Sequence, residues 1–170
     1  MTDKAGNRKE EGEAASRPRV SDAVQEAPRP TCVVTSDQSV ADVAECFSEN
    51  PGVNTAAVVD VNGRLEGIIP LRLLLNDLFL NVAPEEFLAD LGGIGGLEEF
   101  GRMVRANTAE ALMEPPACVG VEDSIRHAFA LMHERHLEGL PIVDPEMKVV
   151  GYLDRLDLLR LWLNYFRSSS

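Results

Sequence analysis

The chain has 170 residues, 45% of them hydrophobic, and a formal net charge of −12 at pH 7. That length suits one globular domain or two small ones sharing a core. Residues 1–30 balance six basic side chains against six acidic ones, so the whole acidic excess lies beyond them, which repels nucleic acid and anionic membrane at long range; no apolar run reaches the ~18–20 residues of a membrane span. Residues 1–13 are hydrophilic and lack the apolar core of a secretion signal. Cys32, Cys46 and Cys118 form an odd, scattered set without CxxC spacing. They read as small buried hydrophobes in a reducing compartment, and a cytoplasmic location follows.

In chain order, residues 1–30 are polar, rich in Glu, Ala, Arg and Pro, and aperiodic, which predicts a disordered tail. Residues 32–34 predict a short strand. Asp37 or Ser39 caps a helix with an apolar face of Val40, Val43, Ala44 and Phe47, and Asn50-Pro51-Gly52 stops it. Residues 56–59 predict a buried strand, 60–63 a hairpin turn and 65–69 the returning strand. A helix follows over about 70–81, with Pro70 in its first turn.

The connection 82–107 is long, with helical patterns over 84–91 and 97–104 flanking a Gly-rich stretch at 92–96. It predicts a helical insert, either functional or a surface decoration. Thr108 caps a short helix over 109–113, and residues 117–121 predict a strand. Asp123 or Ser124 then caps a helix with a face of Ile125, Ala128, Phe129 and Met132. Strands over 140–143 and 149–153 and a helix over about 155–166 complete the pattern, leaving 167–170 as a tail.

The chain therefore repeats itself. A fixed offset of 84 carries Asp60 onto Asp144 and Gly67 onto Gly151, while earlier in each unit an offset of 85 carries Val40 onto Ile125. Each unit, 31–81 and 108–166, reads strand–helix–strand–strand–helix. The two closing helices, 71–81 and 155–166, carry Leu, Trp and Phe on more than one face. A helix apolar nearly all round must bury both sides. One side packs on its own repeat; the other needs the insert or a second chain, and a homodimer interface is the expectation.

This arrangement resembles a tandem pair of cystathionine β-synthase (CBS) domains, a Bateman module. The more typical copy is the second: Ala109-Glu110-Ala111-Leu112-Met113, then Leu140-Pro141-Ile142-Val143-Asp144, then the run from Gly151 to Leu159. The resemblance implies an α/β (α+β) fold, with two βαββα repeats packed by their sheets in pseudo-two-fold symmetry. It also implies two clefts for adenosine-containing ligands, a disc-shaped dimer, and a regulatory rather than catalytic role.

The family's cleft signature is Gly, two apolar residues, Thr or Ser, two variable residues and Asp. The hydroxyl and the helix N-terminus hold phosphate, and the Asp takes the ribose hydroxyls. In repeat two the resemblance places Asp157 at the ribose. It makes Leu140, Pro141 and Ile142, with Val119 and Val121 of the entry strand, the adenine wall. Asp154 stands where the hydroxyl residue belongs, and Glu138-Gly139 stand where phosphate-binding members carry a base. Two like charges 4 Å apart cost about 4 kcal/mol at an effective dielectric near 20, enough to abolish a micromolar site. Arg155 is the residue available to compensate; the other role of Asp154 is to cap the closing helix.

In repeat one Pro70, Leu73 and Ala57 replace the hydroxyl, the ribose Asp and the strand Pro. The expectation is at most one adenosine site, near Asp157, taking adenosine, methylthioadenosine or S-adenosylmethionine ahead of AMP and well ahead of ATP. The alternative is a ligand-free structural or interaction module serving an unidentified partner protein. His133 and His136 share a helix face without a third metal ligand, and no nucleophile–base pair or phosphate-binding glycine loop is evident, so neither a metal site nor an enzyme is expected.

Overall fold

The computed structural model describes residues 18–26, 29–81 and 107–168. The expected helices over 84–91 and 97–104 and the glycines between them lie outside these residues. The first element was not anticipated. Helix α1 (Val20–Glu26) lies inside the expected tail, and Val20 is fully buried. This segment is therefore ordered rather than tail: Val20, Ala23 and Val24 form an apolar face that packs into the core of repeat two.

Repeat one continues with β1 (Val33–Thr35), α2 (Val40–Glu49), β2 (Thr55–Val59), β3 (Leu65–Pro70) and α3 (Leu71–Asn76). Helix α3 widens into a π-type turn over Asp77–Asn81. Repeat two comprises α4 (Ala109–Leu112), β4 (Val119–Gly120), α5 (Ile125–Glu134), β5 (Gly139–Val143), β6 (Val149–Asp154) and α6 (Arg155–Ser168). Each repeat builds a three-stranded sheet with its middle strand parallel to the first and antiparallel to the third.

Local chemistry sets these elements in the same way twice. Ser39 and Ser124 cap α2 and α5 by accepting the amides of Asp42 and His127. The hairpin aspartates organise their turns: Asp60 accepts the amides of Asn62 and Arg64, and Asp144 those of Glu146 and Lys148. Both turns need a left-handed residue at the same place. Gly63 supplies it at φ +77°, and Met147 accepts it at φ 66°. Both hairpins also shift register at the matching point, Val58/Val59 and Ile142/Val143.

The two sheets face each other. Ala57, Leu65 and Ile68 of repeat one share an apolar cluster with Leu140, Ile142 and Leu153 of repeat two, while Tyr152 reaches into the cluster of repeat one. Main-chain bonds report the pseudo-two-fold directly. The Leu71 amide donates to the Asn54 carbonyl at 2.9 Å, and the Arg155 amide to the Glu138 carbonyl at 3.2 Å. At the centre the Tyr152 hydroxyl accepts the Asn54 amide at 2.9 Å, and the Thr55 hydroxyl donates to the Gly139 carbonyl at 3.0 Å. A Cβ on Gly139 would overlap the Tyr152 hydroxyl, so glycine is required where the sheets approach.

The short entry helices are exchanged between repeats. The amides of Val20 and Ser21 donate to Asp123 and Val121 of repeat two, whereas those of Ala109 and Glu110 donate to Gln38 and Ser36 of repeat one. Each repeat thus lends its first helix to the other. The cysteines correct the sequence reading. Cys32, just before β1, and Cys46, on α2, are paired as a disulfide, with Cα atoms 5.6 Å apart. Helix α2 packs across β1 and brings the two residues together despite their separation of 14. Cys118 alone is free. With two of its three cysteines paired, the chain carries no cysteine pattern that points to a reducing compartment. Among the described residues no helix is long and apolar enough to cross a membrane.

Candidate functional site

The signature run of repeat two lies where β6 becomes α6. Asp154 ends the strand and Asp157 sits in the first helical turn. Asp154 Oδ1 accepts the Asp157 amide at 2.8 Å, and Asp157 Oδ2 accepts the Asp154 amide at 3.0 Å. This reciprocal pair is a capping box built from two aspartates. Asp154 does cap the helix, and Asp157 closes the box from the other side.

The two remaining carboxylate oxygens converge on Arg29, in the segment expected to be tail. Arg29 places one guanidinium nitrogen 2.6 Å from Asp154 Oδ2 and another 2.9 Å from Asp157 Oδ1. The carboxylate side chains are 13% and 12% exposed and that of Arg29 26%, so the triad is largely withdrawn from water. Arg160 adds a longer contact to Asp157 at 3.5 Å. Burial raises the Asp157 pKa above its ordinary 3.8; the charge of Asp154 adds to this, and Arg29 opposes it.

The other expected site residues separate from this pair. Arg155 does not compensate Asp154; it turns to Glu138, with Nη1 3.3 Å from Oε1. Leu140, Ile142 and Val119 are at most 1% exposed, and Pro141 is buried in the same strand. Val121 packs half-buried on the core. Val119, Leu140 and Ile142 share an apolar cluster with Ala128 and Met132 of α5 and Leu158 of α6 and contribute to the core of repeat two.

In repeat one Pro70 caps α3 without any side-chain bond, and Leu73 takes the place of Asp157. Pro70, Arg72 and Leu75 nevertheless border a cavity of ≈ 310 Å³ that His136 and Glu138 of repeat two complete. The charges are reversed relative to repeat two. By the offset of 85, Glu114 corresponds to Arg29. Glu114 is laced to β3 by two main-chain bonds with Ile68 and pairs with Arg72 at 3.6 Å. One cleft thus sets an acid from the entry segment against a base on the closing helix; the other sets a base against two acids. The offset was the signal that could have found Arg29, since it places Arg29-Pro30 on Glu114-Pro115.

A second surface feature is apolar. Phe129, Leu158, Leu159 and Trp162, together with Arg126, border a groove of ≈ 380 Å³ between α5 and α6. Leu156, Leu163 and Phe166 extend this exposed surface along α6. Among the described residues no group of three His, Cys, Asp or Glu side chains gathers as a metal site.

Two α/β repeats facing each other by their sheets, with exchanged entry helices and an acidic turn opening a closing helix, define a class of tandem-repeat modules. The CBS domain model matches residues 21–79 and 109–164, so the chain belongs to the CBS domain family, as a tandem pair. Among solved structures it is similar to the CBS domain of a CBS domain-containing membrane protein from Sphaerobacter thermophilus, at 27% identity and TM-score 0.65, covering 91% of this chain and 93% of that one. The CBS-pair protein CBSX2 of Arabidopsis thaliana is 25% identical at TM-score 0.64, covering 88% and 96%. CBSX2 in complex with AMP is 26% identical at TM-score 0.62, covering 86% and 97%. A curated relative, an uncharacterised 33.4 kDa protein in a ribosomal RNA operon of Thermofilum pendens, is 30% identical over 139 residues. That match covers 79% of this chain but only 43% of the relative.

Proposed function

We propose that the chain is a regulatory module that senses an adenosine-containing compound at one site, the repeat-two cleft at Asp157, and relays the binding through α6 to a second copy or a regulated partner protein. The observation that carries this reading is the pair Asp154–Asp157 at the mouth of α6, which sets a largely buried carboxylate at the family's ribose position. The similarity to CBSX2, a CBS-pair protein solved in complex with AMP, supports an adenosine-containing ligand. The second carboxylate sets the preference: adenosine, methylthioadenosine or the sulfonium of S-adenosylmethionine suits the cleft better than AMP, and far better than ATP. No cofactor or catalytic group is required by this role.

Calorimetry with these five compounds tests it. The expected result is saturable binding of an uncharged or cationic adenosine compound, weakened about tenfold or more in Asp157→Ala. Tight ATP binding that is unchanged in Asp157→Ala overturns both the site and the preference. A second reading, a ligand-free interaction module, draws on the buried side chains of Leu140 and Ile142 and on the exposed apolar surface of α6. Absence of binding by all five compounds favours it.

A further inference from the structure

We propose that Arg29 is a resident occupant of the repeat-two cleft, that a ligand enters by displacing it, and that its displacement loosens α1 from repeat two. The inference rests on the ligand-sensing reading above for its trigger, and on geometry for its mechanism. The guanidinium spans Asp154 Oδ2 at 2.6 Å and Asp157 Oδ1 at 2.9 Å. A planar fork suits such a two-carboxylate seat better than an ammonium does. The other two oxygens are engaged by the capping box. A ribose diol needs the oxygens of Asp157, and Arg29 and Arg160 already contact the one that faces away from the box. A ligand that took Asp157 while Arg29 stayed would compete for the same lone pairs.

Displacement has a defined consequence because of how the entry segment is tied down. Its front is held by main chain: Val20 and Ser21 donate to Asp123 and Val121, and Ile125 donates to Pro18. Its rear is held by the Arg29 guanidinium. Between these anchors α1 packs on β6 and α6, with Ala23 and Val24 partly buried. Releasing the rear anchor frees the C-terminal half of α1 from α6, the helix that also carries the exposed apolar surface. Repeat one lacks such a release, since Glu114 is fixed to Ile68 through its own main chain. The displacing ligand must leave Asp154 with a partner, which favours a cation beside the ribose.

The test combines calorimetry, using S-adenosylmethionine as probe, with hydrogen exchange on the full chain, for wild type, Arg29→Lys and Arg29→Gln. The expectation is that Arg29→Gln binds the probe about tenfold more tightly or better, with Arg29→Lys between, because the closed latch reduces apparent affinity by the open fraction. Saturating probe should also speed exchange of the amides at 22–26 in wild type, relative to those of β5. Equal or weaker binding in Arg29→Gln overturns the latch; weaker binding makes Arg29 part of the ligand site. If the probe binds neither protein, the ligand-sensing reading has failed for it and exchange alone decides the latch. Faster exchange at 22–26 in ligand-free Arg29→Gln then upholds the latch, and unchanged exchange overturns it.

Discussion

Asp157 is the residue on which the chemistry of the cleft turns. Its carboxylate accepts the Asp154 amide, pairs with Arg29, and is nevertheless pushed above its ordinary pKa of 3.8, with burial the largest cause. A folded pKa above the unfolded one means that the native state holds this proton more tightly. The stabilisation tied to Asp157 is therefore full below pH 3.8 and is lost as the pH rises through the higher folded value. Carbon-13 NMR titration of the Asp157 carboxyl should show a midpoint above 3.8, moving further up in Arg29→Gln because the guanidinium favours the charged form. A midpoint below 3.8, or one indifferent to Arg29, contradicts this account. The rise fits a carboxylate that exchanges partners: its charge is held at a cost in hydration that a ligand or Arg29 must offset.

At the scale of elements, the strand–turn–strand frame was legible because side-chain chemistry repeats where geometry repeats. Asp60 and Asp144 organise identical turns, and Ser39 and Ser124 cap equivalent helices. Helix α1 was not legible, because seven residues in a charged segment show too little period to separate them from a tail. It forms through tertiary burial of Val20, a non-local cause. Arg29 was lost with it, so half of the candidate site's electrostatics was invisible. The adenine wall could not be separated from the core by sequence: an apolar strand residue looks the same whether it borders a cleft or a core, and Leu140 and Ile142 are buried in the apolar cluster of repeat two.

The cysteines were misread because spacing in sequence says nothing about a helix laid across a strand. The Cys32–Cys46 pairing closes a loop of 14 residues between β1 and α2. Cross-links of that span stabilise by about 3 kcal/mol, chiefly by restricting the unfolded chain. Thiol titration of the unreduced, denatured protein should report one free thiol of three, Cys118. Cys46→Ser should lower the urea midpoint by the equivalent of about 2–3 kcal/mol without changing the sheet registers. Three titratable thiols, or an unchanged midpoint, would remove the disulfide from the native state.

On the scale of the whole molecule, the pseudo-two-fold leaves an unequal surface. The interior face of α6 is spent on Leu158 and Leu161, yet Leu156, Leu159, Trp162 and Phe166 remain about half exposed, next to Phe129 of α5. On α3 and its continuation Leu75 and Phe79 are exposed to a similar degree. Exposing so much apolar surface on a small, acidic chain is unfavourable, and we propose that it is covered by association. The proposed partner is a second copy, with the closing helices of both repeats meeting their counterparts through an isologous interface. Repulsion between two chains of net −12 acts over a Debye length near 8 Å at physiological salt and is screened beyond it, whereas apolar contact is not. Association should therefore strengthen as salt rises from low values. Light scattering at micromolar concentration should give twice the chain's 18.6 kDa. Leu159→Glu with Trp162→Glu should return it to 18.6 kDa while leaving the fold intact, since the two residues are 53% and 49% exposed in the single chain. A monomeric mass for the unaltered protein would move the apolar surface from self-association to a different protein partner. A dimer indifferent to both substitutions would place the interface away from α6.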